Sequence, residues 1–373
     1  MNVTIRRALV PSVAVLALAM SGCSAANDDS GSGSGSADGG SSESAAGGGD
    51  LSGTLNGGGA SSQESAQGAW RAGFQSANSG ATVNYDPVGS GTGRENFISG
   101  AFSFAGTDSA LDLEEEGPAA DERCGGDTIQ VPAYVSPIAV IYNLPGVEGL
   151  QLSAPVIAQI FDGKITTWDD AAIADLNPDL ELPSTDIAPV HRQDDSGTTD
   201  NFTDYLSQAG DGNWSYEPDG VWPIQGGEAA EGTSGLVAAV SGAEGTIGYA
   251  DESQAGGLGI ASIQVGEEFV APSADAAAKV VAISPRAEGV SENNMAVEVD
   301  RTTTESGAYP LILLSYLLAC PTYDDADEAA LVKGYLTYIV SEDGQATSAE
   351  QAGSAPLDSE LSSEAQGIID AIS

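Results

Sequence analysis

Four loops of the chain are rich in Gly, Ser and Thr: Gly59-Ala60-Ser61-Ser62, Gly89-Ser90-Gly91, Gly106-Thr107-Asp108 and Asp194-Asp195-Ser196-Gly197-Thr198. The first turn of a helix leaves N–H groups without intrahelical partners, and small hydroxyl side chains beside them add donors. A single loop of this kind is ordinary helix capping. Their joint occurrence at strand ends, with Arg192 just ahead of one of them, is the donor set of an oxyanion site. A guanidinium presents a planar fork of donors suited to a tetrahedral anion, and Asp194 is spaced to orient that fork. Taken singly, Arg192 also reads as a surface ion pair, and Asp108 and Asp194 as helix caps.

Other chemistries are poorly supplied. The chain has 373 residues, 55 Asp and Glu, 11 Lys and Arg, one His and three Cys, for a formal net charge of −44. A nucleic-acid binder needs cations to replace phosphate counterions, and a basic membrane-surface protein needs them for anionic lipid. One His excludes a histidine-rich metal site and three scattered Cys a Cys₄ zinc site, and no cofactor or metal is expected. His191 adjoins Arg192 rather than a nucleophilic Ser, no G-x-S-x-G elbow occurs, and no G-x-x-x-x-G-K-[ST] loop occurs. No enzyme is expected. The acid runs Glu114-Glu115-Glu116 and Asp324-Asp325 read as solvated faces.

The elements that must carry these loops follow an α/β pattern. Leu51 to Asn56 reads as a strand ending in three glycines, with a helix after it that spaces Trp70 and Phe74 at i, i+4. Thr82 to Tyr85 and Phe102 to Ala105 read as strands, with Phe97 and Ile98 on a helix between them. Tyr134 to Tyr142 is β-rich and interrupted by Pro137, and Pro155 to Phe161 is helical. Ile187 to Val190 is a strand running into a helix that starts near Ser196 and buries Phe202, Tyr205 and Leu206. Gly235 to Val240 reads as a short helix, Thr246 to Ala250 as a strand, Tyr309 to Ala319 as a buried core element and Ala329 to Val340 as a helix. The end, from Pro356, reads as a partly exposed helix. Alternating strands and helices predict an α/β domain.

The first fifty residues read as an address. Arg6-Arg7, an apolar stretch from Ala8 to Met20, then Ser21-Gly22-Cys23 form an export signal too short to be a membrane span. Cys after Ser-Gly resembles a bacterial lipobox, with Met20 where Leu is usual. Residues 1–22 are then removed, Cys23 carries lipid, and 23–50 form a Ser/Gly-rich tether. The alternative is ordinary cleavage. An export address permits a disulfide, and a Cys124–Cys320 bridge is expected, two buried free thiols being the alternative.

The segment Gly163 to Asp170 (GKITTWDD), then Leu176-Asn177-Pro178, then Ile187 to Leu206 (IAPVHRQDDSGTTDNFTDYL), resembles the phosphate-binding protein of the bacterial high-affinity phosphate ABC transporter, the PstS family. Gly57 to Ser62, Val83 to Ser90, Phe104 to Asp108, Trp222-Pro223, Gly245 to Tyr249 and Tyr309-Pro310 match in the same order. Cys124, Cys320 and the segment before Cys320 look like actinobacterial members. The resemblance implies an α/β, two-lobed, periplasmic-binding-protein-like fold (type II) with the ligand cleft between lobes. Lobe I would be 51–138 plus 262–373, and lobe II 139–261, with the disulfide inside lobe I.

It also implies a lipid-anchored receptor on the extracytoplasmic face of the cell membrane. Such a receptor captures inorganic phosphate as a monomer and delivers it to the permease and ATPase subunits. Carried over residue by residue, Ser61 is a hydroxyl ligand, Ser62 acts through its backbone N–H, and Ser90 is the second-loop hydroxyl. Asp108 is the carboxylate acceptor, Arg192 the cation, Asp194 its orienter, and Ser196, Gly197 and Thr198 the helix-start donors. Asp195 replaces a usual Gly and is expected to face solvent. The alternatives are a same-fold receptor for sulfate or molybdate and a phosphate-ester hydrolase.

Overall fold

The computed structural model describes residues 51–373. The export signal, Cys23 and the tether lie outside the described residues. In chain order the first elements are β1 (Ser52–Gly59), α1 (Glu64–Ala77), β2 (Gly80–Asp86), α2 (Ser90–Ile98), β3 (Phe104–Thr107), α3 (Gly117–Cys124) and β4 (Ile129–Tyr142). Next come β5 (Gln151–Leu152), α4 (Ala154–Phe161), α5 (Ala171–Ala174), β6 (Ala188–Arg192), α6 (Gly197–Ala209), β7 (Glu228–Ala230), α7 (Gly232–Gly242) and β8 (Thr246–Asp251). The chain closes with β9 (Gly259–Ile260), β10 (Ser262–Val265), β11 (Glu268–Val270), α8 (Ala274–Ile283), β12 (Ile312–Ala319), α9 (Ala326–Val340), α10 (Glu342–Ala352) and α11 (Ser359–Ile369).

Helices and strands alternate as the sequence pattern predicts. β2 alternates exposed and buried positions along its length, and Trp70 and Phe74 lie on the buried face of α1. The strand order is β2-β1-β3-β12-β4-β8-β6-β7 in a nine-stranded sheet, with β9 added beside β4. One apolar cluster gathers α1, β1 to β3, β12 and α9 around Trp70, Phe74, Phe104 and Tyr335. A second gathers α4, α6, β8 and the far half of β4 around Ile157, Trp168, Phe202 and Tyr249. β12, the expected buried core element, is buried at every position.

The strand that joins the two clusters departs from expectation. β4 is one buried run of 14 residues, and Pro137 does not interrupt it. The pairing gives the reason. Residues up to Pro137 pair antiparallel with β12, whereas Ile138 onward pairs with β8. A proline lacks the N–H that a central ladder needs, and here it sits where the ladder changes partner. Pro132 is opposite Tyr316, beside a register shift between Ser315 and Tyr316. Both prolines thus occupy irregular points of an otherwise continuous strand.

Two helices differ from the sequence reading at their starts. α7 begins at Gly232 rather than Gly235, and α11 begins after the N-cap Asp358 rather than at Pro356. α10 has no apolar period to announce it; it buries Gly344, Gln345, Ser348 and Ala352. Cys124 and Cys320 are bonded, S–S 2.04 Å, within a small cluster containing Phe97 and Leu111. Among the described residues, no helix is long and apolar enough to cross a membrane.

Candidate functional site

The Gly/Ser/Thr loops meet at the strand ends. Gly59 closes β1 at φ +134°, and a Cβ there would lie 2.0 Å from the Gly106 carbonyl oxygen. Only glycine lets β1 and β3 end so close together. Ala60 N–H donates to that same carbonyl at 2.8 Å, which aims Ser61 and Ser62 toward the end of β3. Gly197 makes the corresponding approach from α6: a Cβ there would lie 2.6 Å from Ser90 Oγ and 2.7 Å from Asp108 Cβ.

Asp108 is 3% exposed and faces hydroxyls. Ser62 Oγ donates to its two carboxylate oxygens at 2.7 and 2.8 Å, Ser315 Oγ at 2.6 Å and Thr198 Oγ1 at 3.3 Å. Its own N–H donates to Ser90 Oγ at 3.1 Å. Burial pushes this carboxyl above the ordinary range, and the Ser315 and Ser62 hydroxyls, the Arg192 charge and Thr198 offset that only in part.

Arg192 ends β6 and is 2% exposed. Its Nε donates to Asp194 Oδ1 at 2.8 Å and its Nη2 to Asp194 Oδ2, a two-point pair. Nη2 also donates to Ser61 Oγ at 3.0 Å and Nη1 to Thr233 Oγ1 at 3.4 Å. Asp194 further accepts from Gly232 N–H at 3.0 Å. Partial burial acts to raise the Asp194 carboxyl, but the hydrogen bond and charge of Arg192 win and hold it below the ordinary range. Ser196 caps α6, its Oγ accepting from Thr199 N–H at 3.2 Å. Gly197 and Thr198 supply the first-turn N–H groups that a helix does not use internally.

All nine residues singled out in the sequence therefore converge. Two details differ. Ser62, expected to act through its backbone, turns its hydroxyl onto Asp108. Asp195, expected in solvent, is only partly exposed; its side chain packs over Gly91 and stands 4.0 Å from Arg94. Burial, opposed by Arg94, raises its carboxyl. Among the described residues it makes no hydrogen bond with the Asp108–Arg192 group.

This set of donors around one buried carboxylate and one buried guanidinium suits a protonated tetrahedral oxyanion. The model of the PBP superfamily domain matches residues 44–343. Phosphate-binding protein PstS 3 of Mycobacterium leprae is 34% identical over 285 residues, covering 74% of this chain and 76% of that protein. The chain belongs to the PstS family of phosphate-binding proteins. A second PstS relative, PstS 3 of Mycobacterium tuberculosis (strain H37Rv), is 37% identical over 269 residues, 70% of this chain and 72% of that protein. The solved phosphate-binding protein from Stenotrophomonas maltophilia shares the fold, with TM-score 0.66 at 20% identity over 85% of this chain and 94% of that one.

Several residues of this PstS-family site were not singled out in the sequence. Thr233 opens α7 and touches both Ser61 Oγ, at 3.0 Å, and Arg192. Its signal was the run Glu231-Gly232-Thr233-Ser234-Gly235, another small-residue helix start after a strand. Ser315 is the lone serine inside an apolar run, a buried polar residue that needs a partner. Gln254 donates to the carbonyls of Ser61 and Ser62 at 3.0 and 3.1 Å, with no local signal at all.

Proposed function

We propose that the chain is an extracytoplasmic receptor that captures inorganic phosphate between two lobes and delivers it to an ABC permease. The observation that carries this reading is the buried Asp108, held among hydroxyls in one cluster with a buried Arg192. The family membership and the names of the relatives support it. The lobes are 51–138 plus 262–373 and 139–261, with β4 crossing between them at Pro137. Contacts such as Ser61–Arg192, Asp108–Thr198 and Gln254 to Ser61 are then lobe-to-lobe contacts of a closed state. Lipid at Cys23 and the tether hold the receptor at the membrane, and its role is binding rather than catalysis.

In this mechanism the ligand's charge meets Arg192, the first-turn N–H groups of α6 and the hydroxyls of Ser61, Ser90 and Thr198. Phosphate near neutral pH keeps at least one proton, and its P–OH donates to Asp108. Sulfate has no proton to place there, so its oxygen faces the carboxylate directly. Two like unit charges about 4 Å apart at a protein surface repel by about 4 kcal/mol. That is enough for discrimination by a factor of about 10³. Low dielectric in the closed cleft strengthens the charge-assisted bonds, so local geometry outweighs the chain's acidic field.

Isothermal titration of residues 51–373 with phosphate, and separately with sulfate, tests this reading. One-to-one phosphate binding with at least a hundredfold preference over sulfate is expected. Equal affinity for both, or heat from neither, would sink the proposal.

A further inference from the structure

Arg301 lies between α8 and β12 and is 2% exposed. No sequence motif draws attention to it. Its Nε donates to Asp204 Oδ2 at 2.9 Å, and its Nη1 to the carbonyls of Pro310 and Ile312, both at 3.0 Å. Its Nη2 donates to Oδ1 of Asn201. The Asn201 amide nitrogen then donates to the carbonyl oxygens of Asp108 and Gly197, each at 2.8 Å. One side chain thus separates Arg301 from the backbone of the carboxylate acceptor and from the first turn of α6.

The chemistry of the three groups gives this chain a direction. An amide has one acceptor end and one donor end, and it turns over readily when its neighbours allow. A guanidinium only donates, so it forces the oxygen of Asn201 toward itself and the NH₂ toward the two carbonyls. Without Arg301 the oxygen end of Asn201 loses its donor, and only the two carbonyls on the NH₂ side still hold the amide. A cavity of about 260 Å³ borders Asp108, Asn201, Asp204 and Arg301. The hydrogen bonds at its two ends agree on one orientation of Asn201, and Asn201 ties the Asp108 loop to the α6 N terminus. A parallel tie, Ser109 Oγ to Asp200 Oδ2 at 2.5 Å, lies beside it.

We propose that Arg301 is a positioning residue for ligand selection: it orients Asn201 and so sets the spacing between the Asp108 carboxylate and the Gly197–Thr198 donors. The inference rests on the phosphate reading above. It makes selectivity depend on a residue that touches no ligand.

The test uses residues 51–373 with Arg301→Lys, Asn201→Ala and the double variant. Phosphate affinity is measured by titration, sulfate by competition against phosphate, and the ligand-free melting temperature independently. A lysine keeps a charge for Asp204 but has no fork to hold Asn201 as well. Each single variant is expected to lose about 10- to 100-fold in phosphate affinity, the worth of a charge-assisted hydrogen bond. Each is also expected to let sulfate compete at least tenfold better relative to phosphate. The double variant is expected to be no worse than the poorer single one, because both changes break one relay. Losses that add, or an unchanged sulfate-to-phosphate ratio in folded variants, would reduce Arg301 to a structural role. Should Arg301→Lys not fold, Asn201→Ala decides alone by the same ratio. An unmodified chain that ignores phosphate would instead overturn the receptor reading, and this relay with it.

Discussion

Two aspartates of the site differ only in their neighbours, and they end with opposite properties. Asp194 sits against a guanidinium that grips it at two points, so its charge is stabilised and its carboxyl lies low. Asp108 is more deeply buried, its direct partners are hydroxyls, and its carboxyl lies high. Groups whose environments separate their proton affinities divide the roles of a site between them. Asp194 orients a cation; in the proposed mechanism Asp108 is the acceptor that asks the ligand for a proton. A reading of charge alone would treat the two as equivalent.

Breaking the Asp194 side has the larger consequence. Arg192→Met strands a partly buried carboxylate, and losing one partner of such a pair costs about 3–5 kcal/mol. Phosphate binding should vanish from titration and the melting temperature should fall. A variant that still binds within tenfold of the original would remove Arg192 from the site. Asp108→Asn comes next. The amide no longer repels a fully ionised oxygen, so the preference for phosphate over sulfate should shrink by up to about 10³-fold. An unchanged preference in competition titrations would deny Asp108 its part in selection.

The comparison also predicts opposite pH signatures. Asp194 has a lowered carboxyl, so its contribution to stability is present above the unfolded carboxylate range and is lost as pH falls through its folded value. Asp108 has a raised carboxyl, so its favourable contribution is present at low pH and is lost as pH rises through its folded value. Asp251, where β8 meets β4, behaves like Asp108; burial pushes it up to about 7 against hydrogen bonds from Ser253, Ser136 and Tyr134. Melting profiles from pH 3 to 8 should therefore flatten on the acid side in Asp194→Asn and on the upper side in Asp108→Asn and Asp251→Asn. Parallel profiles in all three would contradict the assigned environments.

Thr233→Val is a smaller perturbation. It removes a hydroxyl shared by Ser61 and Arg192, a hydrogen bond of about 1 kcal/mol net, and should weaken phosphate binding by about fivefold. The smallest effect expected is kinetic. A chain of net charge −44 repels an anion at long range, and salt screens that field beyond about 8–10 Å. The association rate should rise modestly with ionic strength in stopped-flow measurements; a falling rate would show that a local positive field governs capture.

The loops were legible because they obey local rules. A glycine at a strand end, a hydroxyl at a helix start and an arginine before it are each required within a few residues, so Ser61, Ser90, Asp108 and Ser196 to Thr198 stand out. The residues that went unread answer to distant partners. Ser315 serves Asp108 across 207 positions, Gln254 serves Ser61 across 193, and Arg301 serves Asn201 across 100. Pro137 misled for a related reason. Locally a proline ends a strand, but here the missing N–H falls where β4 changes from β12 to β8, a fact that exists only in the assembled sheet.

The amino-acid order by itself thus determined the α/β pattern, the small-residue helix starts of the loops and the family, because periodicity, helix starts and motif spacing are short-range properties. Only the tertiary structure decided which hydroxyls face Asp108, which way Asp195 turns and how two aspartates four strands apart in the sheet acquire opposite proton affinities. Desolvation and the direction of a hydrogen bond depend on what packs against a group, and that is set by chain segments hundreds of residues away.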